Sequence, residues 1–262
     1  MDINTKDRFI PPVYAEQKHN PPKVVFGMTV AKYGQPHPQT VQSLRDSIPL
    51  VKAAGFEEGF TYTAGNPYIS GARAEIARKA MDAKADIIVF LDYDVSWKPE
   101  DMVKLLKAEG DVVGGTYRCK VEDDGKYMGA IWTDIYGIPT VRPSDGAIKA
   151  RALPAGFLKI TTACLDKYMR AYPELCYGPQ YSLSVDLFNH GAHEGIWWGE
   201  DYAFCRRWEA CGGENWLIPD MNIDHWGMGG DEDKVWRGNY HKFLLRQPGG
   251  SEDPSRVLQE IA

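Results

Sequence analysis

The chain has 262 residues, 44% hydrophobic and 25% charged, a composition of ordinary soluble globular type. That length suits one large α/β domain, or a domain of about 200 residues with extensions. The net charge of −6 argues against a protein that grips a nucleic-acid backbone over a broad basic face, though a local basic patch stays open. The first 23 residues hold no apolar run of signal-peptide type, and no stretch approaches a membrane span. Five cysteines, at 119, 164, 176, 205 and 211, form no C-x-x-C pair, so reduced thiols and a cytoplasmic location are the expectation.

Residues 1–22 carry two Pro-Pro pairs and read as an extended arm. A short apolar strand follows over Lys23–Val30 and ends in the loop Ala31–Pro36. A helix is predicted over Pro38–Ala54, with Val41, Leu44, Ile48 and Val51 on one face and Gly55 as its stop. A strand near Glu58–Thr63 leads to a second helix, Ser70–Lys84, in which Ala72, Ile76, Ala80 and Ala83 recur at helical spacing. The run from Asp86 to Leu91 is continuously apolar after its first residue. That pattern fits a buried central strand of a mostly parallel sheet. A helix starting at Pro99 and a short strand over Asp111–Gly115 complete a β-α-β-α-β-α-β order.

Residues 115–165 read as short strands and turns, punctuated by Gly125, Gly129, Gly137, Gly146 and Gly156. Gly199–Ala210 reads as a helix, and Asn215–Ile218 as a strand. The expected fold is therefore α/β: a single Rossmann-like domain over 23–230 with a mostly parallel central sheet and a smaller mixed portion. Its nucleotide-binding half spans 23–115 and its second half 116–230. Residues 231–262 form a wrapping segment.

The chemistry gathers first at Asp92-Tyr93-Asp94. Ligands of open α/β sheets bind beyond the carboxyl ends of the strands. Two carboxylates placed there repel each other unless a cation or a donor lies between them. In extended chain, residues two apart point to the same side, so both can face one ligand. Their hard oxygens suit Mg²⁺ or Mn²⁺. The competing reading is local: Asp94 or Ser96 as the N-cap of the helix that starts at Pro99.

The segment Ala85–Val95 resembles the donor-site segment of the glycosyltransferase A fold, a family of metal-dependent enzymes that use nucleotide sugars. Three further features match in order. Arg73 stands near the start of the preceding helix, where relatives place an arginine against the nucleotide or diphosphate; many carry Arg-Asn, and this chain has Arg73-Ala74. Glu200-Asp201 is similar to the Glu-Asp pair that opens a helix beneath the acceptor. His225, in Ile223–Gly227, matches the histidine that completes the metal site, ahead of His190, His193 and His241.

The resemblance implies a hexosyltransferase acting on a UDP- or GDP-linked sugar. It implies metal ligation by Asp92, Asp94 and His225, with Mn²⁺ favoured over Mg²⁺ once imidazole joins the carboxylates. Asp92 alternatively faces the ribose. Asp201 is the better candidate base and Glu200 an acceptor-hydroxyl ligand, an arrangement that favours inversion over retention. Thr29, Val30, Tyr33, Arg73, Tyr93 and Gly156 would line the donor, and Trp197 and Trp198 the acceptor by stacking or, equally, by core packing. The acceptor, whether glycan, lipid-linked sugar, protein or modified nucleobase, stays open. Two other classes compete. A sugar-nucleotide nucleotidyltransferase needs a Gly-rich basic loop after the first strand, which Ala31–Pro36 matches poorly. A non-catalytic sugar-binding module would not need Asp94, Asp201 and His225.

Overall fold

The computed structural model describes residues 19–30, 34–122, 125–179, 183–193, 195–228, 230–231 and 233–245. The first half follows the predicted order. β1 (Lys23–Val30), α1 (Pro38–Ala53), β2 (Glu57–Ala64), α2 (Ile69–Asp82) and β3 (Ile87–Asp92) lead to β4 (Val95–Trp97), α3 (Pro99–Lys107) and β5 (Val112–Gly114). The second half holds β6 (Ala130–Ile131), β7 (Ile148–Ala152), β8 (Phe157–Thr161), α4 (Thr162–Ala171), β9 (Cys176–Tyr177) and β10 (Ser184–Val185). It closes with β11 (Gly191–His193), β12 (Ile196–Trp198), α5 (Glu200–Ala210), β13 (Asn215–Leu217), β14 (Ile223–Trp226), β15 (Val235–Gly238) and α6 (Tyr240–Leu245).

The central sheet has eight strands in the order β2-β1-β3-β8-β5-β13-β7-β6. Six run one way, and β8 and β7 run against them. The fold is thus α/β with a mostly parallel sheet. One feature departs from the sequence pattern. β3 and β5 are not neighbours, because β8, from the second half, lies antiparallel between them.

The apolar run of β3 serves two layers at once. Ile88 and Phe90 face a core shared with α2, α4 and α5, while Ile87, Val89 and Leu91 face a second core shared with α1 and α3. β1 alternates in the same way, with Val25 on one side and Val24, Phe26 and Met28 on the other. A strand buried on both faces has no position for a polar residue until it leaves the sheet, which is why the run is continuous and then breaks at Asp92.

A second, three-stranded sheet, β15-β14-β4, stands beyond the end of β3. Residues from 231 onward contribute β15, so the C-terminal segment adds an edge to the sheet that carries His225. At the other end of the chain, the His19 backbone N–H donates to Asp86 at 3.3 Å. Residues 1–18 of the predicted arm lie outside the described residues, as do 246–262. All five cysteines are free of disulfides. Among the described residues, no helix is long and apolar enough to cross a membrane.

Candidate active site

Register brings the site residues together. Thr29 lies beside Asp92 across the β1–β3 pair, and Leu91 lies beside Phe157 across β3–β8. The carboxyl ends of β1, β3 and β5 therefore meet the start of antiparallel β8 at one edge of the sheet. The Asp92 N–H donates to the Gly156 carbonyl at 3.0 Å, extending the ladder by one step.

The two carboxylates of Asp92-Tyr93-Asp94 do not share one partner. The strand ends at Asp92, and Tyr93 and Asp94 form a turn into β4. Extended geometry, the basis for expecting both side chains to point the same way, stops one residue too early. Asp92 accepts from the Arg73 guanidinium at 3.0 Å and from the Tyr117 hydroxyl at 3.3 Å. Asp94 faces Lys120 and His225 instead. Helix capping is not its task either. The N-cap of α3 is Lys98, and Ser96 accepts from the Trp226 indole at 2.8 Å.

His225 reaches Asp94 because β14 pairs antiparallel with β4, placing it opposite Val95. The Trp226 N–H donates to the Asp94 carbonyl at 2.8 Å and fixes that register at the turn. The His225 ring has its Nδ1 2.9 Å from the Arg118 carbonyl, which can only accept, so Nδ1 carries the proton. Nε2 then presents a lone pair toward Asp94 Oδ2, 3.6 Å away. That separation is too long for a hydrogen bond. It is short enough for a cation about 2.1 Å from each atom to lie between them. Burial opposes the charge on Asp94, but the neighbouring Lys120 ammonium and His225 imidazole outweigh it and hold its pKa below the ordinary carboxylate value.

A divalent cation thus fits the donor set of Asp94 and His225. The Arg118 carbonyl fixes the imidazole tautomer that leaves Nε2 able to accept a cation. Among the described residues, no group of three or more His, Cys, Asp or Glu side chains comes together as a metal site. Asp92, tied to Arg73 and Tyr117, stands outside that pair.

Arg73 organises the remaining charges. From a fully buried position on α2 it donates to Asp92 at 3.0 Å and to Glu200 at 3.1 Å, with Phe188 under its guanidinium at 5.2 Å. Burial works against its charge, but Asp92, Asp201 and Glu200 together raise its pKa. Glu200 and Asp201 open α5, where acidic residues are favoured by the helix dipole. The Ala155 N–H donates to Asp201 at 3.3 Å, docking α5 on the segment that enters β8. Burial, reinforced by Glu200, raises the Asp201 pKa.

Gly156 is required by packing within this cluster. A Cβ there would lie 2.2 Å from the Tyr117 hydroxyl oxygen and 2.5 Å from Asp92 Oδ2. Thr29 is buried at the end of β1, and Val30 accepts from the Gly65 N–H at 3.1 Å. Tyr93 is half-buried, its hydroxyl pKa raised by burial and by Asp94. Tyr33 lies outside the described residues.

Trp197 and Trp198, adjacent in β12, face opposite sides. Trp197 is 69% exposed. Trp198 packs on His193 at 4.7 Å and Tyr202 at 5.9 Å, beneath the Arg206 guanidinium. His193 itself contacts Arg207 at 3.0 Å, and neither it nor His190 approaches Asp94.

Sequence reasoning missed two participants. Tyr117 is buried, touches Asp92, and sets its ring edge-on to His225 at 5.0 Å. Its place just past the carboxyl end of β5 was the available signal. Lys120, 2.5 Å from Asp94, follows in an irregular segment, and nothing in its local sequence marks it.

No protein-family model matches the chain, and no curated protein matches it. In structure it is similar to GalNAc-T7, crystallised with UDP, GalNAc and Mn²⁺, at a TM-score of 0.45 and 11% identity. That likeness covers 79% of this chain and 44% of the other, so the chain spans less than half of that protein's length. It is also similar to the catalytic domain of Drosophila β1,4-galactosyltransferase 7 in complex with xylobiose, at a TM-score of 0.39 and 10% identity over 90% of this chain and 79% of that one.

Proposed function

We propose that the chain is a glycosyltransferase that moves a hexose from a UDP- or GDP-linked donor to an acceptor hydroxyl. The observation that carries this reading is the Asp94–His225 pair, whose facing oxygen and nitrogen are 3.6 Å apart at the end of the central sheet. On the Arg73 side of Asp92 lies a half-buried carboxylate, Asp201, with a raised pKa.

Asp94 Oδ2 and His225 Nε2 would hold a divalent cation, Mn²⁺ in preference to Mg²⁺ because a nitrogen ligand takes part. Such a cation supplies charge neutralisation for the nucleoside diphosphate as it leaves the sugar. The work of the chain's own residues is positional and acid–base. Tyr117 and Arg73 hold Asp92 at the strand end, where its partly exposed carboxylate suits a ribose hydroxyl. Arg73 also fixes Glu200, and through it the first turn of α5. Asp201 takes the proton of the acceptor hydroxyl as the new glycosidic bond forms. Its raised pKa favours that role, because a base is most effective when its pKa approaches the working pH. A base acting opposite the leaving diphosphate gives inversion at the anomeric carbon. The outward ring of Trp197 suits stacking on the acceptor, be it glycan, lipid-linked sugar, protein or modified nucleobase.

The test is release of free nucleoside diphosphate from a panel of nucleotide sugars with Mn²⁺. The expected result is release from one UDP- or GDP-sugar, abolished in Asp94→Ala with loss of metal-dependent donor binding. In Asp201→Ala, donor binding should persist and transfer stop. Release of pyrophosphate from a nucleoside triphosphate and a sugar phosphate would instead identify a nucleotidyltransferase. No turnover together with no metal-dependent nucleotide binding overturns both.

A further inference from the structure

The cation position already has an occupant in the chain itself. Lys120 Nζ lies 2.5 Å from Asp94 Oδ2, the same oxygen that faces His225 Nε2 at 3.6 Å. Asp94 is mostly buried and Lys120 half-buried, so water screens this pair less than a surface ion pair. An ammonium at that distance neutralises the carboxylate and takes up one of its acceptor directions. A divalent cation on the same oxygen, bound at about 2.1 Å, would lie no more than about 5 Å from an ammonium that stayed in place. Two positive centres would then share one carboxylate in a largely water-poor site.

We propose that Lys120 is the resident counter-ion of the cation position, and that a divalent metal binds Asp94 only as the Lys120 ammonium withdraws. This rests on the reading of Asp94 and His225 as cation ligands. Three consequences follow from the geometry. Without metal, the Lys120 ammonium sits on the same Asp94 oxygen that faces His225. Metal binding is penalised in the donor-free chain. A diphosphate offers the displaced ammonium a new partner, and the flexible four-carbon stem of lysine allows the exchange. Metal and nucleotide therefore bind cooperatively, with Lys120 as the element that links them.

The experiment is a titration of the donor-free full chain with Mn²⁺, following the electron paramagnetic resonance signal of the free ion. It uses wild type, Lys120→Met, Lys120→Arg and Asp94→Asn, each checked for fold by circular dichroism. Lys120→Met should bind Mn²⁺ about tenfold more tightly or better, equivalent to about 1.4 kcal/mol or more. Lys120→Arg, which keeps the charge, should stay near wild type, and Asp94→Asn should lose the site. Adding UDP or GDP should tighten Mn²⁺ binding more in wild type than in Lys120→Met. If Asp94→Asn abolishes binding but Lys120→Met leaves the affinity unchanged or weaker, the competition is overturned and the metal ligands stand. If Asp94→Asn binds Mn²⁺ as wild type does, or if neither wild type nor Lys120→Met binds it, the ligand reading falls and the competition with it.

Discussion

Arg73 Nη2 donates to Asp92 Oδ1 at 3.0 Å, and the same guanidinium donates to Glu200 at 3.1 Å, so one buried cation ties the end of β3 to the start of α5. The planar fork of arginine serves two carboxylates at fixed angles, which a lysine ammonium cannot copy. Removing one partner of such a pair strands the others. Asp92 and Glu200 keep 24% and 29% of their side-chain surface exposed, so water offsets part of the loss. Arg73→Ala should cost about 2 kcal/mol in urea unfolding, and Arg73→Lys less but still measurably. Both variants should weaken nucleotide binding. A wild-type urea midpoint in Arg73→Ala would show that the bridge has no structural role.

A single methyl group tests the packing at the strand end. In Gly156→Ala the new Cβ meets the Tyr117 hydroxyl and the Asp92 carboxylate, both well inside van der Waals contact. Overpacking of this kind costs about 1–3 kcal/mol. Tyr117→Phe removes the nearer of the two atoms. The double variant should therefore be more stable than the sum of the two single changes predicts, the mark of directly coupled sites. Additive unfolding energies would mean that Gly156 is not held against Tyr117.

Much of this site was legible in the sequence, because its parts sit where regular elements stop. The apolar run of β3 ends at Asp92, Arg73 stands near the start of α2, and α5 opens on Glu200-Asp201. These are local signals, and the structure keeps all three on those elements. What was illegible depends on contacts made at long range. Whether Asp92 and Asp94 face one ligand or two is decided by a turn at Tyr93 and by pairing with a strand about 130 residues away. The position of β8 between β3 and β5 comes from the second half of the chain, whose short strands carry little periodicity. Lys120 stands in an irregular segment, and only the fold brings it to Asp94.

Asp201 should trade stability for function. Burial raises its pKa, so the native state favours the protonated form more than the unfolded chain does. Its contribution is full below the unfolded value and is lost as pH rises through the native one, leaving an ionised group that destabilises at neutral pH. Asp201→Asn keeps an acceptor for the Ala155 N–H and removes the half-buried charge. The melting temperature at pH 7.5 should rise by about 2–4 °C per kcal/mol relieved. Transfer should fall by about 10²–10⁴-fold, the usual scale for a general base. The gain in melting temperature should shrink as pH is lowered toward the ordinary carboxylate range, and the wild-type rate should fall over an acidic limb displaced upward from that range. A thermal gain that does not depend on pH would separate the stability effect from the Asp201 charge.

The paired tryptophans should behave oppositely, because strand alternation sends their rings to opposite sides. Trp197 stands 69% exposed and contributes little to packing, whereas Trp198 lies against His193, Tyr202 and Arg206. Trp197→Ala should leave the melting temperature within about 1 °C of wild type, as surface changes generally do. If it stacks on the acceptor, KM for the acceptor should rise about tenfold, with slow donor hydrolysis in the absence of acceptor unchanged, since stacking on one ring is worth about 1–3 kcal/mol. Trp198→Ala should instead lower stability by about 2–4 kcal/mol and loosen the hairpin that leads into α5, reducing transfer through misplacement of Asp201. Steady-state kinetics at saturating donor, read beside thermal unfolding of the two variants, separates the roles. An unchanged acceptor KM in Trp197→Ala would remove that ring from the acceptor site and leave β12 as a purely structural lead-in to α5.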